Sequence, residues 1–232
     1  MLALALLLAA ATAPAAPPGY AMVRCIKVTN GDEYKNVMLS TTAKTMQVRA
    51  DEGDIAGWVF ARAVIPSGND STCDFMQMNV YKDFPPERSP IDPYLVKAGL
   101  KITRAEWYAK MGAVSKLSRL ELWRDVDAVG TTVKGNYIRV DYWKAAPGKA
   151  AAAKALAQAE LHEGLVGGWL AQEILLPAGS SYPYNARTIT AFPSWSAIGK
   201  PSKLRDRPPK GQELVKSELF EVIEVVRPNQ AQ

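Results

Sequence analysis

The sequence predicts an α+β protein in which two similar β-α-β-β-α-β units follow each other along one chain. The first observation is a repeated segment: "EGDIAGW" from Glu52 and "EGLVGGW" from Glu163 share Glu, Gly, Gly and Trp, 111 residues apart. The second is a match between "LSRLELWRDVDAV" from Leu117 and "LVKSELFEVIEVV" from Leu214, with an offset of 97 residues. A period near 100 residues indicates a duplicated domain, because solenoid repeats are only about 20–50 residues long.

The two units cover residues 22–130 and 136–228. In the second unit, "NYIRVDYWK" alternates in polarity and is rich in β-branched and aromatic residues, which is typical of a strand. The Ala-rich segment "PGKAAAAKALAQAELHEG" has Pro and Gly at its start and Gly at its end, which favours a helix. The segments "GWLAQEILLP" and "YNARTITAF" predict a hairpin, and "ELFEVIEVV" predicts the last strand.

The first unit shows the same order of elements. Four strands and a first helix are predicted near residues 22–29, 57–65, 73–81, 119–128 and 32–50, respectively. The second helix begins at a capping box, in which Thr103 caps the backbone and Glu106 reaches back to it. In the second unit the corresponding helix is interrupted by Pro201, Pro208 and Pro209.

A β-α-β-β-α-β order gives a ferredoxin-like antiparallel sheet with its helices on one face. One such sheet leaves its other apolar face bare, and that face must be covered by another layer. Two units in one chain can cover each other. The sequence therefore predicts an intramolecular α/β-barrel, which is a pseudo-dimer within one polypeptide.

The sequence resembles the dimeric α/β-barrel superfamily, which includes stress-responsive barrel proteins, NIPSNAP-like proteins and haem-degrading monooxygenases. The resemblance is carried by "YIRVDYWKAAPGK", by the junctions "DEGDIAGW" and "HEGLVGGW", and by the closing "ELFEVIEVV". It covers nearly all of the chain after residue 21. It implies the fold and leaves the activity open, because the superfamily hosts several unrelated functions.

The N-terminal residues 1–21 contain no charged side chain and are predicted to be a secretory signal peptide. An apolar run from Leu2 to Ala11 is followed by small residues and prolines, with cleavage expected near Ala15 or Ala21. The run is about half the length of about 20 residues that a transmembrane helix needs. We therefore expect a secreted or periplasmic protein with no integral membrane segment; the alternative is a disordered N-terminal tail.

The two cysteines, Cys25 and Cys73, could pair in an exported protein. The predicted strands place each cysteine near the start of its own strand, in two neighbouring antiparallel strands. The cysteines would then lie at opposite ends of the strand pair, beyond the reach of a disulfide. The sequence therefore favours two buried free thiols over a disulfide.

Several function classes are excluded by what the sequence lacks. It contains no Walker loop, no G-x-S-x-G motif, no H-E-x-x-H motif and a single histidine, so NTPase and metallohydrolase activities and a metal site are not predicted. The formal net charge is +5, partly from the basic segment "GKPSKLRDRPPKG". No aromatic or Gly-rich signature accompanies this segment, so we expect a solvated loop and no nucleic-acid partner.

His162 and Glu163 are the candidate catalytic residues. His162 replaces the Asp51 of the first unit and is expected at the end of a helix, where it could act as a general base. The superfamily resemblance implies a second role, because haem-degrading members place a histidine on a helix that lines the pocket; His162 would then be an axial haem ligand. The alternative is a helix C-terminal histidine favoured by the helix dipole.

Arg139 and Asp141 are candidate ligand-binding residues. They alternate with Ile138, Val140 and Tyr142 along one strand, and the apolar set is expected to face the helices. Arg139 and Asp141 would then point into the barrel, either lining a polar pocket or forming a salt bridge that seals the two sheets.

Trp58 and Trp169 open equivalent strands of the two units. Because an indole buries a large area, both are expected to anchor the junction between helix and strand. The alternative is that they stack on a bound ligand.

Two functions follow from these observations. The first is the binding or oxidation of a small molecule between the two sheets, with haem or an oxidisable organic compound as ligand. This function requires a cavity of about 300 Å³ or more between the sheets. The second is a non-enzymatic exported interaction or structural module that acts through loops near residues 85–97 and 200–210.

Overall fold

The computed structural model describes residues 19–66, 72–87, 90–130, 136–177, 182–206 and 209–229. The predicted signal segment therefore lies outside the described residues, apart from residues 19–21. The first half contains β1 (Tyr20–Val28), α1 (Gly31–Val37), a π-helical segment (Met38–Thr42), α2 (Ala43–Asp51), β2 (Gly57–Ile65), β3 (Phe75–Tyr81), α3 (Asp92–Lys97), α4 (Arg104–Val114) and β4 (Ser115–Gly130). The second half contains β5 (Tyr137–Ala145), α5 (Lys154–His162), β6 (Gly168–Leu176), β7 (Ala186–Phe192), α6 (Trp195–Ile198), α7 (Lys203–Asp206) and β8 (Gln212–Val226).

The predicted helices are largely confirmed. The first helix runs from residue 31 to 51, with the π-helical segment between its two α-helical parts. The capping box forms at the start of α4, where Thr103 accepts from the backbone N–H of Glu106 and the Glu106 carboxylate accepts from the backbone N–H of Thr103. Helix α5 is shorter than predicted: it starts at Lys154, and the segment before it forms turns in which Gly148 adopts a positive φ of 70°.

All eight strands form one closed antiparallel barrel. The strand order is β1-β3-β2-β8-β5-β7-β6-β4, and β4 closes the barrel on β1. The order β4-β1-β3-β2 of the first half is repeated by β8-β5-β7-β6 in the second, and the halves meet at the pairs β2–β8 and β4–β6. Closure leaves neither half with a free sheet edge, and the predicted α+β barrel is confirmed.

Two main groups of buried apolar side chains lie on the two faces of this barrel. The interior is filled from strands of both halves by Val23, Cys25, Ala61, Met76, Trp123, Val140, Tyr142, Tyr184 and Phe220, among others. The second group lies between the outer face of the first half and its helices, and includes Tyr34, Met38, Trp58, Phe60, Phe75 and Trp107. None of the helices in the described part of the chain has the length and apolar character needed to cross a membrane.

Cys25 and Cys73 form a disulfide, with Cα atoms 5.0 Å apart. The prediction of two free thiols is therefore wrong. Strand β1 runs from Tyr20 to Val28, so Cys25 lies in its second half, whereas Cys73 lies two residues before the start of β3. Because β1 and β3 are antiparallel, the end of β1 meets the start of β3, which brings the two cysteines together.

A cluster of charged and phenolic side chains fills part of the barrel interior. Glu121 is 1% exposed and accepts hydrogen bonds from the hydroxyls of Tyr182 (2.6 Å) and Tyr184 (2.5 Å) and from Nε1 of Trp123 (3.0 Å). Its carboxylate also lies 3.0 Å from Nε of Arg119. Burial and the bond to Glu121 raise the pKa of Tyr182 to about 12, so this hydroxyl stays a donor at neutral pH.

The second glutamate of this cluster is Glu218, which is the counterpart of Glu121 in the repeated closing strand. It pairs with Lys216 at 3.3 Å and with Arg119 at 3.6 Å, and it accepts from the hydroxyl of Thr72. The two glutamates are thus neutralised by two cations, and these ion pairs connect β4 of the first half with β8 of the second.

Candidate functional site

The largest described cavity, about 840 Å³, lies outside the barrel, between the strands of the first half and the helices that cover them. Its floor consists of β1 and β3, and its walls consist of the first helix and α4. The principal lining side chains are Met22, Arg24, Ile26, Gln77, Asn79, Tyr81, Thr42, Met46, Arg49, Ile91, Trp107, Tyr108, Met111 and Leu117. Its volume falls within the range of small-molecule sites.

Arg24 is a half-buried cation on the floor of this cavity. Its guanidinium donates to the sulfur of Met22 at 3.3 Å, and among the described residues no carboxylate forms an ion pair with it. Burial lowers the pKa of Arg24, and the nearby positive charge of Arg49 lowers it further. Arginine nevertheless remains charged at neutral pH, so the cavity contains a cation that has no anionic partner in the described part of the chain.

Arg49 on α2 is also buried beside the cavity, but its charge is matched. Its side chain is 4% exposed, and its Nε donates to Asp54 at 2.6 Å. The guanidinium also lies 5.7 Å from the ring centroid of Tyr94. The adjoining π-helical segment contributes Thr42 to the cavity wall; π-helical turns are frequent at functional sites.

Two further polar groups of the cavity lining have no hydrogen-bond partner among the described residues. They are Oδ1 of Asn79 and Nε1 of Trp107, both of which are buried. The amide nitrogen of Asn79 donates to the hydroxyl of Tyr81 at 3.1 Å. A buried polar atom without a partner is unfavourable, so each such atom in a native structure calls for an explanation.

The mouth of the cavity is aromatic and basic. Tyr108 is 51% exposed, and the guanidinium of Arg104 lies 5.3 Å from its ring centroid. Leu117 at the start of β4 is 49% exposed on the same rim. Glu87 is the only carboxylate among the described residues that line this cavity.

His162 and Glu163 lie elsewhere. Both are exposed at the C-terminal end of α5, where Glu163 is the capping residue. Neither lines the 840 Å³ cavity. The chain has one histidine, so the expected arrangement of haem in a pocket with His162 as axial ligand does not fit these residues.

Arg139 and Asp141 lie together, but on the face opposite to the one predicted. Their side chains pair at 2.6–2.8 Å, and the hydroxyl of Ser217 donates to Asp141. Ile138 and Val140 instead belong to the barrel interior. The predicted orientation is wrong because the apolar side chains of this strand fill the closed barrel, whereas Arg139 and Asp141 neutralise each other on its outer face and so can be buried there.

Trp58 and Trp169 are fully buried and pack on the outer face of the barrel. Trp58 stacks on Phe60 with ring centroids 5.8 Å apart, and Trp169 packs against Ala153 and Ala157. Both tryptophans also border a second cavity of about 280 Å³ at the junction of the two halves. Each thus has the anchoring position expected from the repeat.

Among the described residues, the cavity that borders the barrel interior has a volume of about 280 Å³, at the lower limit of the size that the sequence predicts for a ligand cavity between the sheets. The barrel interior is filled by Trp123, Tyr142, Tyr184, Met76 and Met78, and the cavity at the junction of the halves stays below about 300 Å³. The 840 Å³ cavity lies instead between sheet and helices. The sequence predicts helices on that face of the sheet, but it does not show how closely those helices pack on the strands.

Sequence analysis also missed the residues that matter most in this cavity. Arg24 is the one charged residue before Lys27 in the strand "YAMVRCIKV", and a lone arginine in an otherwise apolar strand is a usable signal. Asn79 in "FMQMNVY" is a similar signal. Trp107 gives no such signal, because a tryptophan on an amphipathic helix usually belongs to the core.

Solved structures resemble this chain in fold. Two carry the description "putative monooxygenase": a Lactobacillus acidophilus protein (TM-score 0.53, 9% identity, 91% of this chain and 96% of that chain covered) and a Fusobacterium nucleatum protein (0.50, 11%, 92% and 95%). An anthrone oxidase-like protein matches with a TM-score of 0.47 and 12% identity over 92% and 94%. No protein-family model matches the chain, and the comparison with curated proteins gives no match. At these identities the likeness shows the fold alone.

Proposed function

We propose that this chain, which has the dimeric α/β-barrel fold, binds a small molecule in the cavity between the first-half sheet and its helices. The observation that carries the proposal is the cavity itself: about 840 Å³, with apolar walls and a few polar groups on its floor. Binding sites for small molecules have this composition. The buried Asn79 and Trp107 atoms that lack partners support it, because a packed structural interface would normally satisfy them.

A cavity-filling variant tests this function. The probe is N-phenyl-1-naphthylamine, a neutral aromatic compound whose fluorescence rises in an apolar site. Wild-type protein is expected to bind it saturably, and Met22→Trp to weaken binding about ten-fold or more, because the indole occupies the cavity floor. Val126→Trp, at an exposed position of β4, is the matched control and should bind as wild type does.

Equal binding by Met22→Trp and wild type would contradict the proposal. The exported interaction module would then become the stronger function, acting through the loops near residues 85–97 and 200–210. Residues 88–89 and 207–208 of those loops lie outside the described residues.

Oxidation of the bound molecule is the second candidate function. It is favoured by the fold shared with two structures described as monooxygenases, and it comes to this chain only as a proposal. Oxygen uptake in the presence of a bound compound, lost in Met22→Trp and kept in Val126→Trp, would support it.

Export is the third element of the proposal. The Cys25–Cys73 disulfide supports it, because disulfides persist mainly in oxidising compartments. Strand β1 starts at Tyr20 and buries Ala21, so cleavage after Ala15 would leave the strand intact, whereas cleavage after Ala21 would remove its first two residues. A bacterial host expressing residues 1–232 is therefore expected to release a protein that starts at residue 16, as measured by intact mass. An uncleaved chain in the cytoplasm would contradict export.

A further inference from the structure

We propose that the first-half cavity selects organic anions, and that Arg24 binds the negatively charged group of the ligand. This inference rests on the proposed function and names its ligand class: a compound with an apolar, ring-containing body and one carboxylate or sulfonate. It concerns the choice between ligands, whereas the proposed function concerns only the place of binding.

The charges around the cavity carry the first step. Arg24, Arg49 and Arg104 line it, against the single carboxylate of Glu87 among the described lining residues. Arg49 is neutralised by Asp54, but no described carboxylate neutralises Arg24. An uncompensated cation that is largely removed from water is unfavourable in the empty protein. An anionic ligand would remove this penalty and gain a charge-assisted hydrogen bond.

The second half provides an internal comparison. Trp58 pairs with Asn79 in the first half, and Trp169 pairs with Thr190 in the second, so the two sheets can be compared by register. Two residues earlier in β3 and β7 are Gln77 and Thr188, and their partners are Arg24 in the first half and Asp141 in the second.

The corresponding outer face of the second half thus carries its own anion. Asp141 is 2% exposed and is held by Arg139 and Ser217. On that face a carboxylate and a guanidinium neutralise each other within the chain. By the same register Met22 stands at the position of Arg139, so the first half has a guanidinium at the position of the second half's carboxylate. Among the described residues no carboxylate pairs with it, and a cavity lies in front of it. The missing anion is the part that we assign to the ligand.

The rest of the cavity fits the body of such a ligand. Ile26, Met46 and Met111 provide apolar and flexible walls, and Trp107 provides a flat aromatic wall with a free N–H donor. An aromatic or polycyclic body can contact these side chains while its charged group reaches Arg24.

Two probes with the same ring system test the inference. They are 1-anilinonaphthalene-8-sulfonate, which is anionic, and N-phenyl-1-naphthylamine, which is neutral. Wild-type protein is expected to bind the anionic probe about 10- to 100-fold more tightly, as a charge-assisted hydrogen bond to a partly buried site predicts. Arg24→Met should remove this preference, with the affinity for the neutral probe changed less than about three-fold.

Two further variants control the measurement. Arg24→Lys keeps the charge and should keep part of the preference, and Arg124→Met removes a cation from an exposed pair with Glu173 and should leave the preference unchanged. The comparison of the two probes on wild-type protein does not depend on any variant folding. Near-UV circular dichroism should show native tertiary packing in each protein used.

The outcomes separate this inference from the proposed function. If both probes bind equally well to wild type and Met22→Trp blocks both, the cavity binds ligands and the anion inference is overturned. If Met22→Trp blocks neither probe, the proposed function fails and the inference fails with it. A preference that survives Arg24→Met but is lost in Arg124→Met would also overturn the role of Arg24.

Discussion

Replacing both Cys25 and Cys73 by alanine is expected to lower the free energy of unfolding by about 4 kcal/mol. The disulfide closes a loop of 48 residues, and the loss of its constraint on the unfolded chain predicts a cost of this size. Both cysteines are fully buried in the barrel interior, so the substitution also removes packing. Urea or guanidinium unfolding, followed by circular dichroism, measures the difference.

The same experiment contains its own control. Wild-type protein unfolded with a reductant should approach the stability of the double alanine variant, and the variant itself should not respond to the reductant. A thiol titration of unfolded wild type without reductant should find no free thiol. Two free thiols in that titration, or identical unfolding curves with and without reductant, would show that the disulfide does not form.

Glu121→Gln is expected to lower the free energy of unfolding by about 2–4 kcal/mol. The carboxylate accepts from Tyr182, Tyr184 and Trp123 and pairs with Arg119. The neutral amide has one acceptor oxygen where the carboxylate has two, and it leaves part of the Arg119 charge unmatched in a buried site. Chemical unfolding of the two proteins side by side measures this cost.

Glu173→Gln is the matched control for that substitution. Glu173 pairs with Arg124 at 3.1 Å on the outside of the barrel, with 34% of its side chain exposed. Surface ion pairs contribute only about 0–1 kcal/mol, so this variant should unfold close to wild type. Equal losses in the two variants would mean that the interior cluster does not stabilise the barrel beyond an ordinary surface pair.

The repeat made the barrel predictable. Trp58 and Trp169 mark the same junction in both halves, and the closing segments from Leu117 and Leu214 mark the same last strand. Alternating polarity then identified the strands, because side chains of a strand point to opposite faces in turn. These signals depend only on residues close together in the sequence, so they can be recognised without knowing what each face of the sheet contacts.

The direction of each face could not be predicted in the same way. Alternation separates Arg139 and Asp141 from Ile138 and Val140, but it does not say which set faces the interior. That choice depends on which other strands and helices cover each face once the barrel has closed, which is a property of all eight strands together. The prediction for Cys25 and Cys73 failed because a shift of two residues in the boundaries of β1 moves Cys25 from near the start of the strand into its second half, which lies beside the start of β3.

The sequence by itself determined two β-α-β-β-α-β units, the presence of an apolar face on each sheet, and a chain without the motifs of the common metal- and nucleotide-dependent enzymes. Tertiary structure alone decided where a ligand can bind. The barrel interior fills because side chains from both halves converge there, including the ion pairs around Glu121 and Glu218. In the first half, the long helix and α4 leave the space in front of Arg24 open. Whether a charged side chain forms an ion pair or faces a cavity depends on distances between residues far apart in sequence. These distances are fixed only once the chain has folded.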